Sequence, residues 1–79
     1  MTRDQALAIV SGAIASQFGV AAESVTEDTV ALDVAGWDSF SHGLLVMAIE
    51  EKAGAPLPFD ELASAANVGE LADIVSKNA

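Results

Sequence analysis

Apolar residues recur every three to four positions in three long stretches of the chain, and each stretch predicts a helix. In the first, Leu7, Val10, Ile14 and Phe18 share one stripe. Thr2 with Gln5 three residues later forms a capping box, and Gly19 supplies a stop, so a helix is predicted near residues 3–18. Gly12 weakens it slightly unless another helix packs closely there. The second helix starts at Asp38 or Ser39 and runs to about Ala53, with Gly54 as its C-cap. Pro56-Leu57-Pro58 then imposes an extended break. Phe59 to about Ala65 predicts a short third helix, and Asn67 with Glu70 caps a last one through Leu71, Ile74 and Val75. No strand-like alternation persists anywhere. The expected fold is all-α, with four helices, the third of them short.

Residues Val20 to Asp38 make a connection longer than a unit of this size normally carries without a functional reason. It is rich in Glu, Ser, Thr and Asp, yet Val25, Val30, Leu32, Val34 and Trp37 punctuate it. That spacing predicts a loop pinned to the core.

The second helix has two apolar faces. With Ser39 at the origin and about 100° per residue, Leu45, Val46 and Ile49 fall between about 240° and 340°, and His42 and Ala53 share their sector. Phe40, Leu44 and Met47 fall between about 80° and 140°, with Glu51 among them and Glu50 at their edge. A helix of so small a protein cannot be buried all round. The first group is therefore expected to point inward, and the second to form an exposed docking patch with an acidic rim. The bland alternative is that the first or third helix covers the second group.

Composition narrows the partners. Seventy-nine residues allow one domain, residues 1–79, with one small core. Twelve acidic residues face three basic ones, and no basic residue lies between Asp4 and Glu51. Nucleic acid and anionic membranes are excluded as partners, because both need Lys and Arg. Proteins with basic patches fit instead. With no cysteine there is neither a disulfide nor a thiolate ligand, and one histidine makes no metal site. Any thiol chemistry must come from an attached group. The apolar run Ala6 to Ala15 is too short and interrupted to span a membrane, and it does not have the form of a signal peptide. A cytoplasmic protein is expected.

Gly36-Trp37-Asp38-Ser39-Phe40 carries the candidate chemistry. A serine at a helix start lies among unpaired N–H groups at the positive end of the helix dipole, a place that favours a phosphate or phosphodiester. The alternative is that Ser39 is only an N-cap. His42, one turn on, either lines a cavity mouth near Ser39 or is a half-buried side chain satisfied by a loop carbonyl. It has no orienting third group, so a hydrolase built on Ser39 is a poor fit.

These residues resemble the acyl carrier protein family, which includes peptidyl and other phosphopantetheine carriers. Asp38-Ser39-Phe40 looks like the family's Asp-Ser-Leu attachment motif, Leu45 through Glu51 like its second-helix continuation, and Asn67-Val68-Gly69-Glu70 like the start of its fourth helix. The likeness covers roughly residues 3–77. It implies a four-helix bundle with a long first loop and 4′-phosphopantetheine attached to Ser39, with Asp38 helping to present the site. It implies no catalytic residues of its own. Its partners would be a phosphopantetheinyl transferase and the enzymes that load and transfer acyl or aminoacyl groups, docking through Phe40, Leu44, Met47, Glu50 and Glu51. The protein is expected as a monomer. Ser41 and Leu44 stand where fatty-acid carriers often have acidic residues, Gly43 replaces an aliphatic one, Phe40 a leucine and Ala53 a large aromatic. These departures point toward a specialised pathway, such as polyketide, nonribosomal-peptide or surface-polymer synthesis, rather than primary fatty-acid synthesis. The competing class is a non-covalent acidic interaction module without cofactor.

Overall fold

Four helices, three of them with side-chain N-caps, make up the computed structural model, which describes residues 1–79. Helix α1 (Arg3–Phe18) begins at the expected box: the Gln5 N–H donates to Thr2 Oγ1 at 3.1 Å, and the Thr2 N–H donates to Gln5 Oε1 at 2.9 Å. Helix α2 spans Ser39–Ala53, α3 Phe59–Ala63 and α4 Val68–Asn78. Gly19 and Gly54 close α1 and α2 in the left-handed conformation, at φ 70° and 71°. Helix α3 ends two residues earlier than expected. Ser64 and Ala65 turn back in three-residue steps onto Glu61 and Leu62, which frees Asn67 to cap α4.

Helix α1 packs on both α2 and α4. Its buried line is Ala6, Val10, Ala13 and Ile14, while Leu7 and Phe18 only flank the core. The sequence stripe of large residues is thus rotated: small alanines fill the centre of the seam. Leu45, Val46 and Ile49 enter the same core, as expected, with Leu62 of α3 and Val68, Leu71, Ala72 and Val75 of α4. No close helix packs at Gly12, where a Cβ would meet nothing within 4 Å.

The long loop holds two one-turn 3-10 segments, Ala22–Ser24 and Ala31–Asp33. Val25 and Val34 are buried and Val30 is half-buried, in line with a pinned loop. Leu32 is not pinned: it is 98% exposed, pointing outward from the second 3-10 turn. The stronger anchors are polar. The first two N–H groups of α4 donate to the loop, Val68 to Thr29 O and Gly69 to Glu27 O, each at 2.9 Å. A Cβ on Gly69 would lie 3.2 Å from Glu27 O, a tight contact that glycine avoids. Arg3 ties the corner by bonding Glu27 at 2.6 Å, Asp73 and the Gly69 carbonyl. Hydrogen bonds to Asp73 and then Glu27 hold its guanidinium still more firmly in the charged form. No helix is long and apolar enough to cross a membrane.

Candidate functional site

Two serines open α2, and their hydroxyls are used differently. Ser41 is locked in a reciprocal cap: its N–H donates to Asp38 Oδ1 at 2.9 Å, and its Oγ accepts from the Asp38 N–H at 2.8 Å. The same hydroxyl donates to the Gly36 carbonyl at 2.8 Å. Ser39 is the first residue of the helix, and its exposed hydroxyl makes no hydrogen bond within the chain. Ser39 is therefore not the cap; Asp38 is. The sequence signal for this cap is Asp-x-x-Ser, from Asp38 to Ser41.

The cap changes the electrostatics expected of this helix start. A carboxylate already lies at the positive end of the dipole and accepts the Ser41 N–H. The Asp38 carboxyl is lowered below the usual aspartate range, first by the Ser41 N–H and then by the Ser41 side chain. Its contribution to stability is complete above the unfolded value and disappears as pH falls through the lowered folded one. Wild type is expected to lose more melting temperature on acidification than Asp38→Asn, and thermal scans of both across the acid range will measure the difference.

Behind the cap stands an aromatic stack. Phe18 of α1 lies on Trp37, ring centroids 5.5 Å apart, and Trp37 lies on His42 at 6.0 Å. The Trp37 Nε1–H donates to His42 Nδ1 at 3.0 Å, and His42 Nε2 lies 3.1 Å from the Leu62 carbonyl. Since an indole can only donate, the His42 proton belongs on Nε2, and the neutral ring satisfies both neighbours. His42 is thus the half-buried, carbonyl-satisfied histidine anticipated, except that the carbonyl belongs to α3. It bridges the end of the loop to α3. Gln17 adds a strut from α1, its Nε2 donating to the Ser41 carbonyl at 2.8 Å. His42→Ala leaves the indole N–H without its partner, while the Leu62 carbonyl keeps the Ala65 N–H at 3.4 Å. It is expected to cost about 1–3 kcal/mol, read as a lower melting temperature and a shifted emission of Trp37, the one tryptophan.

Two apolar recesses meet at Ser39. One, of about 400 Å³, lies between α2, α3 and the start of α4, with Trp37, His42, Phe59, Asn67 and Leu71 in its wall. Asn67 Oδ1 caps α4 by accepting from the Glu70 N–H at 2.9 Å, while its amide NH₂ has no partner in the chain. The other, of about 450 Å³, runs along the outer face of α2 between Phe40, Gly43, Leu44, Met47, Glu50 and Phe59. Phe40 is 77% exposed, Met47 65% and Leu44 47%, so neither α1 nor α3 covers them. Glu51 is exposed beside them. Glu50 departs from its expected place on a free acidic rim: it is half-buried and accepts the Leu57 N–H at 2.8 Å. The Pro56-Leu57-Pro58 break brings that donor back over α2. Phe59, the first residue of α3, is half exposed and borders both recesses, a place set by how the break turns. No three His, Asp or Glu side chains come together as a metal site.

Ser39 thus stands exposed at a helix start where two apolar recesses meet, a place open to an attached group. The sequence profile described as "Phosphopantetheine attachment site" matches residues 8–75, most of the chain. The chain is 32% identical to the acyl carrier protein of Helicobacter pylori strain G27 over 69 residues, 87% of this chain and 88% of that one. It is 35% identical to that of Afipia carboxidovorans over 66 residues, 84% of each, and 35% identical to that of Syntrophobacter fumaroxidans over 65 residues, 82% of this chain and 80% of that one. The chain belongs to the acyl carrier protein family of phosphopantetheine-binding proteins. It is a carrier and not an enzyme, and its cofactor is 4′-phosphopantetheine.

Proposed function

We propose that 4′-phosphopantetheine is attached to Ser39 and that its terminal thiol holds an acyl or aminoacyl group as a thioester for biosynthetic enzymes. The observation that carries this reading is the contrast between the two serines: Ser41 is consumed by the cap, and Ser39 is exposed and uncommitted. The chain fits the cofactor, since nothing covers the hydroxyl and an apolar cleft with a spare Asn67 amide lies beside it. That amide is a donor suited to a carbonyl of the arm or its cargo. Asp38 would serve by fixing the helix start that presents Ser39.

The attached thiol supplies the nucleophilic sulfur that a chain without cysteine lacks. The protein itself contributes position: it raises the effective concentration of a tethered intermediate at each partner. Phe40, Leu44 and Met47 would form the docking surface for a phosphopantetheinyl transferase and for loading and transferring enzymes. Glu51 and the general acidity would steer basic partners, and Glu50 would shape the recess. The exposed residues Phe40 and Leu44, which depart from the fatty-acid carrier pattern, support partners outside primary fatty-acid synthesis. The protein would act as a cytoplasmic monomer in one domain. Incubation with coenzyme A and a broad-specificity phosphopantetheinyl transferase tests the attachment. Intact mass should rise by one 4′-phosphopantetheine, and a protein that stays unmodified with several such transferases would sink the reading in favour of a non-covalent module.

A further inference from the structure

Both recesses of the molecule open at Ser39, and the inner one, between α2, α3 and the start of α4, stops short of the core. His42 stands in its wall, fixed at both ring nitrogens: to the Trp37 indole at 3.0 Å and to the Leu62 carbonyl at 3.1 Å. That bridge ties α2 to α3. On its core side, Leu45, Ile49 and Leu62 are fully buried and pack with Ile14 of α1. A long alkyl chain running inward from Ser39 would have to part α3 from α2, which breaks the bridge and opens close packing. A short chain that stays in the recess does neither.

The polar side chains of that wall are Trp37, Asp38, Ser39, His42 and Asn67. Trp37 and His42 satisfy each other, and the Asp38 carboxylate accepts the Ser41 N–H. Asn67 alone keeps a free donor. Its Oδ1 is held by the Glu70 N–H, which fixes the amide, and the NH₂ on the other side can pair only with an acceptor. A hydrocarbon tail laid over that donor takes its water away and offers no acceptor, whereas an oxygen on the acyl group pairs with it. We infer that the cargo of this carrier is a short acyl group bearing a hydroxyl or oxo oxygen, with the His42 bridge barring length and the Asn67 amide selecting the oxygen. The inference rests on Ser39 being the attachment point, and it narrows the acyl or aminoacyl class proposed above.

Defined cargo tests this. A broad-specificity phosphopantetheinyl transferase loads the chain from butyryl-, β-hydroxybutyryl-, decanoyl- and β-alanyl-coenzyme A, intact mass confirms each product, and its melting temperature is compared with that of the form carrying the bare thiol arm. The β-hydroxybutyryl form should melt about 4 °C above the butyryl form, and decanoyl should add no more than butyryl does. Asn67→Asp keeps the acceptor that caps α4 and removes the donor, so it should erase the difference between β-hydroxybutyryl and butyryl. His42→Ala, compared with its own bare-arm form, should gain melting temperature from decanoyl where wild type does not. A decanoyl gain in wild type equal to that of β-hydroxybutyryl overturns the inference, as does a β-hydroxybutyryl gain that survives Asn67→Asp. The absence of any decanoyl gain in His42→Ala overturns it too, because the bridge would then not be what bars length. An equal gain from β-alanyl overturns it in favour of an ammonium held at Asp38. Failure of wild type to load at all is a distinct result and overturns the attachment at Ser39 on which the inference stands.

Discussion

Ser39→Ala is expected to abolish uptake of 4′-phosphopantetheine completely while leaving the fold intact. The hydroxyl is the only group removed, and it bonds nothing in the chain. The cap that nucleates α2 belongs to Asp38 and Ser41 and survives the change. An exposed substitution of this kind alters stability by no more than about 0.5 kcal/mol. Intact mass after treatment with transferase and coenzyme A reads the first effect, and a thermal melt reads the second. Ser41→Ala should behave in the opposite way. It keeps a loadable hydroxyl at residue 39 but opens the reciprocal cap and releases the Gly36 carbonyl, so its melting temperature should fall. Uptake of the cofactor by Ser39→Ala, on any other residue, would remove Ser39 from its role.

Leu44 and Leu45 are adjacent in sequence, and their substitution should have unrelated consequences. Leu45 is fully buried in the core shared by all four helices. Leu45→Ala removes that packing and leaves a cavity, at a cost of about 2–5 kcal/mol. Against about 0.05–0.15 kcal/mol of net stability per residue, that is a large part of what a chain of 79 residues has. Leu44 is 47% exposed and lies along the outer recess. Leu44→Glu should therefore shift the melting temperature little, yet slow loading by roughly tenfold through a charge placed in an apolar contact. Melting curves and loading rates of the two variants separate core from docking surface. A large thermal loss in Leu44→Glu would make Leu44 a core residue and end the argument for a patch.

Helix number and order, the N-caps of α1 and α4 and the inward face of α2 were all legible in the residues, whereas the start of α2 stayed open between Asp38 and Ser39. Those features depend on near neighbours in the chain: a cap spans three positions and an amphipathic stripe repeats within two turns. The long loop was legible only in part. Val25 and Val34 pack as their spacing suggested, but Leu32 points into solvent, because the 3-10 turn at Ala31–Asp33 sends it outward. The family resemblance rested on the same local motifs, and the sequence comparison spans most of the chain with them.

At the site, the division follows the range of the interaction. The sequence by itself determined that a serine would stand at the start of α2, behind an aspartate, with an apolar continuation on two faces. Local periodicity and helix-end chemistry suffice for that. Only the tertiary structure decided which serine hydroxyl is free, since Ser41 spends its own on Gly36 and Asp38. It alone decided that Glu50 turns back to Leu57, that His42 joins Trp37 to the Leu62 carbonyl of α3, and that Phe59 stands between two recesses. These contacts join residues brought together by the packing of α3 against α2 or by turns within the loop, and no periodic pattern encodes them.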